Sequence, residues 1–243
     1  MLDMQSLLTR KLSCFGRLSQ DDLVVFKQLL RRRRRRFCAG QELIQEGEKI
    51  GVAFVLVEGW SCSYKILRDG DRQIVDFQIP GDFLGLRSIL FHTSDHSTQA
   101  LTPIEVCEIT PSDMLDRLAR RPRLATAVLW AISRDEAMMA EHLVNLGRRS
   151  ADVRMAHFML ELGARLRLVG IGDQGGFACP LTQYHLADAL GLSAVHVNRV
   201  LRHLREAGLL TFQRGRVRFN DIVRLRDLAG FDPDYLDHQL SRF

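Results

Sequence analysis

The segment LTQYHLADALGLSAVHVNRVL, residues 181–201, contains two short amphipathic patterns separated by a single glycine. The first pattern has one apolar face, formed by Leu186, Ala187 and Leu190. Gly191 stands where a tight turn requires a residue that tolerates positive φ, and Ser193 is placed to cap a second helix. The inward positions of that helix recur at helical spacing: Val197, Val200, Leu201 and Leu204. This spacing predicts a helix-turn-helix, whose second helix fits the major groove of DNA.

The residues after the second predicted helix favour a β-hairpin. Residues 211–219 alternate between polar and apolar side chains around Arg214-Gly215, which predicts two short strands joined by a tight turn. A hairpin at this place makes the module a winged helix-turn-helix. The competing interpretation is an amphipathic helical hairpin that contacts no nucleic acid.

The positive charge of the chain is concentrated around this module. The 243 residues carry a formal net charge of +5. Residues 148–243 hold 14 arginines, no lysine and 10 acidic residues, whereas residues 1–147 hold 20 basic and 19 acidic residues. The basic excess favours contact with phosphates and an affinity that depends on salt.

Composition argues against several other classes of protein. No apolar run reaches the roughly 18 residues that a membrane-spanning helix needs, and the N-terminus lacks the pattern of a secretion signal, so we expect a cytoplasmic protein. The five cysteines are scattered, which predicts neither a disulfide framework nor a CxxC metal site. The chain also lacks a phosphate loop and a nucleophile elbow, so no enzymatic activity is expected.

The middle of the first half reads as short β-strands separated by glycines. Runs such as Ala53–Trp60, Ser61–Leu67 and Arg72–Ile79 combine β-branched and apolar residues, and turn signals recur between them. The expected corners are Gly47, Gly59, Gly70 and Gly81. Many short strands at this interval predict a β-barrel or jelly roll.

Three motifs of this predicted barrel resemble those of one protein family. Gly47-Glu48, Val57-Glu58-Gly59 and Pro80-Gly81-Asp82-Phe83-Leu84-Gly85 look like the cyclic-nucleotide-binding barrel of the Crp/Fnr transcription regulators. The resemblance implies a homodimer that binds DNA and contacts RNA polymerase. It also implies an α+β fold in three parts: an N-terminal helical segment and jelly-roll barrel (residues 1–110), connecting and dimerisation helices (111–147) and a winged helix-turn-helix domain (148–243).

A long helical pattern between barrel and DNA module carries two neighbouring apolar stripes. Pro122 suits its first turn and Gly147 its end. One stripe comprises Ala125, Leu129, Ile132, Met139, Leu143 and Leu146, and the other comprises Leu124, Val128, Ala131 and Met138. One can cover the barrel and the other a partner helix, but the spacing does not decide which. A dimer would place two recognition helices about 34 Å apart on a near-palindromic site. The alternative is that the long helix is buried entirely within one subunit.

The resemblance places an effector pocket at Gly85, Leu86, Arg87, His96 and Ser97. In the cyclic-AMP receptors of the family, a glutamate after the matching glycine holds the ribose, and an arginine before the matching serine holds the phosphate. Leu86 and His96 take those two positions here, so neither contact is expected. We therefore expect no cyclic AMP. Two alternatives stay open, Arg87 as a substitute charge and another small molecule in the same cavity.

The chain has few residues that could bind the other cofactors with which members of this family sense signals. The oxygen-sensing members bind an iron–sulfur cluster through four cysteines, three of them near the N-terminus; here only Cys14 lies there, so no cluster is expected. His92, His96 and His142 form no haem signature. The chain most resembles the FixK-like regulators of alphaproteobacteria, some of which act without an effector. In that group a cysteine near the DNA-binding module can be a redox switch; Cys179 takes this position, with an ordinary thiol as the alternative.

The resemblance also assigns the DNA contacts. The family's base-reading positions fall on Ala194, Val195, Asn198 and Arg199. Only Arg199 keeps a widely shared residue type, because Ala194-Val195 replaces the common Arg-Glu pair and can instead meet a thymine methyl. We therefore expect a half-site that differs from those of the best-known members. Contacts to the phosphate backbone are expected from Thr182, Gln183, Ser193, His196, Arg202, Arg214 and Arg216.

Two further alternatives stay open. The run Arg31–Arg36 invites a nucleic-acid interpretation, but its place before the first predicted strand is more typical of a solvated helix end and strand edge. Two other roles for this arginine run stay open: an auxiliary contact with DNA or with an acidic partner, and an effect on RNA polymerase. For the whole chain, the alternative is an effector-sensing regulatory subunit whose C-terminal domain binds protein instead of DNA. The basic wing, Asn198 and Arg199 argue against it.

Overall fold

The computed structural model describes residues 11, 19–31, 33–49, 51–91 and 93–236. They belong to two compact units, with the boundary between Ile132 and Ser133. The helices are α1 (Gln20–Arg31), α2 (Pro111–Arg120), α3 (Pro122–Arg148), α4 (Ala151–Leu168), α5 (Gln183–Leu190), α6 (Ala194–Glu206) and α7 (Ile222–Ala229). The strands are β1 (Arg34–Phe37), β2 (Glu42–Ile44), β3 (Ala53–Glu58), β4 (Ser61–Ile66), β5 (Arg72–Gln78), β6 (Phe83–Leu84), β7 (Ser97–Ala100), β8 (Ile104–Ile109), β9 (Gly176–Ala178), β10 (Leu210–Gln213) and β11 (Arg216–Phe219).

Two antiparallel sheets of four strands form the body of the first unit. Their strand orders are β1-β8-β3-β6 and β2-β7-β4-β5. Side chains from both sheets make one apolar cluster, with Phe54 and Leu56 from the first sheet and Ile44 and Ala100 from the second. Burying a large apolar side chain of this kind stabilises a fold by roughly 1.5–3 kcal/mol. The jelly-roll barrel predicted from the sequence is confirmed.

The corner between β3 and β4 depends on glycine. The φ of Gly59 is +86°, and a Cβ atom there would lie 2.3 Å from the carbonyl oxygen of Pro103. Both the backbone conformation and the space therefore exclude a side chain at this position. The sequence predicted a corner here, and the close approach of the chain explains why the residue is glycine.

Within the arginine run, Arg33–Arg36 form an ion-paired ladder at the edge of the first sheet, where β1 pairs with β8. Alternate guanidinium groups reach alternate carboxylates: Arg34 and Arg36 contact Glu105, and Arg33 and Arg35 contact Glu108. Burial acts to raise the pKa of Glu105, but hydrogen bonds from Arg36 and Arg34 outweigh it and hold that pKa below its usual range. The ladder favours the interpretation of this run as a solvated strand edge.

Helix α3 exposes one of its two stripes. In the first unit, Leu124, Val128 and Ala131 pack in a cluster with residues of β3. On the other stripe, Leu129 is 64% exposed and Leu143 is 69% exposed. The packing thus identifies which stripe covers the barrel, a point that the helical spacing left open.

Helix α4 is the central element of the second unit. Every residue from Met155 to Leu166 is buried. Helices α6 and α7 and strand β9 pack around it, and β9 completes a sheet in the order β10-β11-β9. This scaffold holds α5, α6 and the β10–β11 hairpin in place.

Candidate nucleic-acid interface

The helix-turn-helix forms where its local residue types predict it. The Thr182 Oγ1 accepts from the backbone N–H of His185 at 3.2 Å and caps α5, and the Ser193 Oγ accepts from that of His196 at 3.2 Å and caps α6. Each hydroxyl accepts in its cap and keeps its own proton to donate elsewhere. Gly191 ends α5 in the left-handed region, with a φ of 61°.

One face of α6 is buried and the other faces solvent. The inward residues are Val197, Val200, Leu201 and Leu204, as predicted. The predicted base-reading residues lie on the outer side, where Asn198 and Arg199 are exposed, Val195 is 80% exposed and Ala194 is half-buried. The structure therefore brings these four residues together on the surface of one helix, in the arrangement that major-groove reading requires.

The hairpin beside α5 forms the wing. Strands β10 and β11 pair directly up to Gln213 and Arg216, which leaves Arg214 and Gly215 as the two residues of the turn. Both have positive φ, 52° and 69°, as in the tight turns that suit a hairpin. Between this turn and the start of α5 lies an open groove of about 510 Å³, lined by Leu181, Thr182, Gln183, Phe212, Gln213, Arg214 and Gly215. Three predicted phosphate-contacting residues line this groove.

Four exposed cations of this surface are Arg199, Arg202, Arg214 and Arg216. None of them is paired with a carboxylate within the residues that the structure describes. This contrasts with the arginine run of β1, whose guanidinium groups face glutamates. Unpaired guanidinium groups on one surface attract phosphates, and their affinity weakens as salt rises.

Arg154 is a supporting residue that sequence reasoning missed. It lies on α4 and donates to the carbonyl oxygens of Leu190, Leu146 and Arg149, the last two at 3.1 and 3.2 Å. These carbonyls lie at the ends of α5 and α3, where a helix leaves such groups without internal partners. Arg154 thereby holds the turn of the helix-turn-helix against the end of α3. No local sequence pattern signals contacts that span up to 36 residues.

Two further features of the surface also escaped the sequence analysis. Tyr184 is 72% exposed and directly follows Thr182 and Gln183, two predicted phosphate-contacting residues. Its place on the polar outer side of α5 is the signal that could have found it. The side chains of Gln183 and Asn198 are hydrogen-bonded to each other at 2.6 Å. Spacing cannot reveal such a bond, because it depends on two side-chain rotamers.

The residues of the expected effector pocket are engaged with protein groups. Arg87 pairs with Asp95 at 2.8 Å, and the Nδ1 of His96 lies 2.9 Å from the same carboxylate. Gly85 has a φ of 64° and precedes a short 3-10 helix, Leu86–Ile89. Leu86 packs against the apolar cluster that β3 and α3 share. The Ser97 Oγ accepts from the backbone N–H of Glu46 at 3.0 Å.

This arrangement does not fit a cyclic phosphate. Burial acts to raise the pKa of Asp95, but His96 and Arg87 outweigh it and hold that pKa below its usual range. A phosphate would therefore have to displace an ionised carboxylate from both basic side chains. Leu86 offers a ribose hydroxyl no acceptor.

Cys179 is buried directly beside the wing. It is 1% exposed, and its backbone N–H donates to the carbonyl oxygen of Gly215 at 2.8 Å. Burial raises the pKa of its thiol to about 12. The thiolate is the reactive form, and at neutral pH this environment leaves almost none of it. The ordinary-thiol alternative is therefore favoured over the redox switch.

The described ranges contain no group of three or more histidine, cysteine, aspartate or glutamate side chains placed to hold a metal ion. Across the same part of the chain, no helix combines the length and the apolar character needed to cross a bilayer. Cys14 and His92 lie outside the described residues.

Comparison with known proteins identifies relatives over most of the chain. The model of the cyclic nucleotide-binding domain matches residues 34–121, and that of the Crp-like helix-turn-helix domain matches residues 153–228. The nitrogen fixation regulation protein FixK of Bradyrhizobium diazoefficiens is 32% identical over 81% of this chain and 82% of its own. The transcriptional activator protein anr of Pseudomonas aeruginosa is 30% identical over 79% of this chain and 78% of its own.

Solved structures share the fold. FixK2 from Bradyrhizobium japonicum aligns with a TM-score of 0.74 at 26% identity, over 82% of this chain and 98% of that chain. A transcriptional regulator of the CRP family from Thermus thermophilus aligns with a TM-score of 0.62 at 24% identity, over 81% and 97% of the two chains. The FixK and anr relatives are named as a regulation protein and as a transcriptional activator. The barrel, the winged helix-turn-helix and these matches together show that the chain belongs to the Crp/Fnr family of DNA-binding transcription regulators.

Proposed function

We propose that this regulator binds a near-palindromic DNA site as a homodimer and reads each half-site with the outer face of α6. The observation that carries the proposal is that Val195, Asn198 and Arg199 are exposed together on a helix whose other face is buried. A competing function, in which the C-terminal domain binds protein, is not favoured, because that domain matches the model of the Crp-like helix-turn-helix domain.

The base contacts follow from the chemistry of the four outer residues. The guanidinium of Arg199 can donate to two acceptors of guanine, and Val195 presents a branched apolar surface that suits the methyl group of thymine. Ala194 adds a second small apolar contact. Asn198 presents its side-chain amide to the same groove of the DNA. Each good base contact of the bidentate type discriminates by about 1–3 kcal/mol.

The backbone contacts surround this face. Thr182 and Ser193 have hydroxyl protons to donate at two helix N-termini, where the helix dipole also favours a phosphate. The remaining proposed contacts are Gln183, His196, Arg202, Arg214 and Arg216. They fix the position of the protein on the duplex and supply affinity without selecting a sequence.

The exposed stripe of α3 is the proposed dimer interface. Leu129, Ile132 and Leu143 lie on it, and an apolar stripe of this length on a surface helix favours pairing with a second copy. In this proposal residues 1–110, 111–147 and 148–243 act as barrel, dimerisation and DNA-binding parts. RNA polymerase is the proposed second macromolecular partner.

Selection of bound duplexes from a random DNA pool tests the proposal. The purified, ligand-free protein is used at near-physiological salt, and bound duplexes are sequenced. We expect a palindromic motif with half-sites one helical turn of DNA apart. The proposal would be contradicted if no motif were recovered either without or with added cyclic AMP. A motif recovered only with cyclic AMP would contradict the interpretation that the barrel pocket does not bind this nucleotide.

A further inference from the structure

The side chains of Gln183 and Asn198 form a pair on the exposed surface of the helix-turn-helix. The Asn198 Nδ2 donates to the Gln183 Oε1 at 2.6 Å and to the backbone carbonyl of Ala194 at 3.2 Å. Both side chains are exposed. A residue at the start of α5 therefore contacts a proposed base-reading residue of α6.

The backbone carbonyl of Ala194 fixes the orientation of the Asn198 amide. A carbonyl oxygen only accepts hydrogen bonds, so the atom of Asn198 that faces it is the amide nitrogen. The same nitrogen needs an acceptor on Gln183, which orients the Oε1 of Gln183 towards Asn198. Both protons of the Asn198 Nδ2 are thereby used within the protein, and its Oδ1 has no protein partner among the described residues.

This geometry restricts what Asn198 can read. An asparagine that recognises adenine in the usual bidentate way accepts from N6 and donates to N7, so it needs both halves of its amide. Asn198 keeps only its acceptor. We propose that Gln183 is a positioning residue that holds Asn198 as an acceptor-only reader, whose Oδ1 accepts from the exocyclic amino group of adenine or cytosine.

The inference deepens the proposed function and rests on it, because it requires α6 to lie in the major groove. It also gives Gln183 a part in sequence preference, in addition to the phosphate contact expected for it. The Nε2 of Gln183 takes no part in the bond with Asn198, so it keeps two protons that can be donated to a phosphate oxygen.

Base preference in Gln183 variants tests the inference. Binding selection with Asn198→Ala first identifies the base pair whose preference depends on Asn198. At that base pair, Gln183→Met keeps the length of the side chain, removes the acceptor and is expected to lower the preference by about 5- to 10-fold, a value near the lower end for one base contact. The double variant should lose no more preference than Asn198→Ala alone, because the two residues act as one unit.

Two variants separate positioning from other roles. Gln183→Glu keeps an acceptor for the Asn198 Nδ2 but adds a negative charge, so it should retain the base preference and bind all sequences more weakly. Arg214→Ala is the matched control for a pure backbone contact and should also leave the preference unchanged. Thermal unfolding of each variant, expected to match the wild type at these exposed positions, checks that the domain is folded.

A DNA probe tests the acceptor-only reading without any change to the protein. Where the base read by Asn198 is adenine, that adenine is replaced by 7-deazaadenine, which lacks the N7 acceptor. The protein is expected to bind the altered duplex as tightly as the original one. A loss of about 5-fold or more would show a bidentate contact and overturn the inference.

The outcomes distinguish this inference from the proposed function. A wild-type palindrome with an unchanged preference in Gln183→Met, or with the preference lost in Gln183→Glu, overturns the inference alone. A wild-type protein that selects no motif overturns both.

Discussion

Arg199 is the outer residue with the strongest capacity to discriminate between bases. Its guanidinium is exposed and has no carboxylate partner in the described chain, so it is free to donate to guanine in the major groove. We expect Arg199→Ala to remove preference at one base pair of each half-site, by about 1–3 kcal/mol, while weak binding to all sequences remains. Competition titrations with single-base variants of the selected duplex measure this change.

Arg202 provides the matched control for Arg199, because it lies three residues later on the same helix and is also exposed. Arg202→Ala should weaken binding to all sequences alike and reduce the salt dependence, as expected for a phosphate contact. Unchanged selectivity in Arg199→Ala would contradict its assignment as a base-reading residue.

For single residues, the sequence predicted which residues form the site better than it predicted the hydrogen bonds between their side chains. The cap at Ser193 and the turn at Gly191 were predicted, because each depends on residue types a few positions apart. The cap at Thr182 depends on the same local chemistry but was not predicted. The bond between Gln183 and Asn198 was not predictable, because it joins two helices through side chains that each have several rotamers. Sequence reasoning therefore identified Asn198 as a candidate reader but not the form of its hydrogen bonding.

At the scale of elements, the junction between α3 and α4 is both polar and buried. Asn145 accepts from Arg149 through its Oδ1 at 2.8 Å, and its Nδ2 lies 3.1 Å from the Nδ1 of His157. Because an arginine only donates, this contact fixes the Asn145 amide, whose nitrogen must then donate to the ring. His157 is thereby held neutral, with its proton on Nε2, 3.4 Å from Glu141.

This junction should make the second unit sensitive to acid. Burial, with the nearby charge of Arg149, lowers the pKa of His157 to about 4, although Glu161 and Glu141 act to raise it. In the unfolded chain the same ring titrates near about 6.5. The stability that neutral His157 contributes is therefore fully present at pH values above the pKa of the unfolded chain. It is lost, by on the order of 1 kcal/mol per pH unit, as the pH falls from that pKa towards the lower pKa of the folded chain.

Unfolding experiments between about pH 7 and pH 4.5 measure this effect. His157→Gln keeps an acceptor for Asn145 but cannot titrate, so its stability should fall less steeply with pH than that of the wild type. Equal slopes in the wild type and His157→Gln would contradict the role of this ring.

The elements themselves were largely predictable, and their packing was not. The helix α3 was expected from Pro122 to Gly147 and runs from Pro122 to Arg148. Its two apolar stripes are similar in sequence, so only the packing of Leu124, Val128 and Ala131 against the barrel cluster shows which one is covered. The ladder of arginines on Glu105 and Glu108 likewise requires the register of β1 on β8, which no local pattern specifies.

At the scale of the whole molecule, the uncovered stripe of α3 has a consequence for assembly. An isologous dimer brings the same stripe of two copies together, so every residue on it acts twice. Such a dimer also makes two DNA half-sites cooperate, because the second recognition helix is delivered at a high effective concentration. Loss of the dimer should therefore weaken binding to a full palindrome far more than binding to one half-site.

Leu143→Arg tests this coupling between assembly and DNA binding. Leu143 is 69% exposed in the single chain, so the substitution should leave the fold intact while it places two like charges in the proposed interface. Light scattering should change from twice 27.7 kDa to the mass of one chain, and affinity for the palindrome should fall by at least about 10-fold, with little change for a half-site. Val223→Arg makes the same kind of change at an exposed valine of α7, 66% exposed, and should remain dimeric. A Leu143→Arg protein that stays dimeric and binds the palindrome like the wild type would place the dimer interface elsewhere.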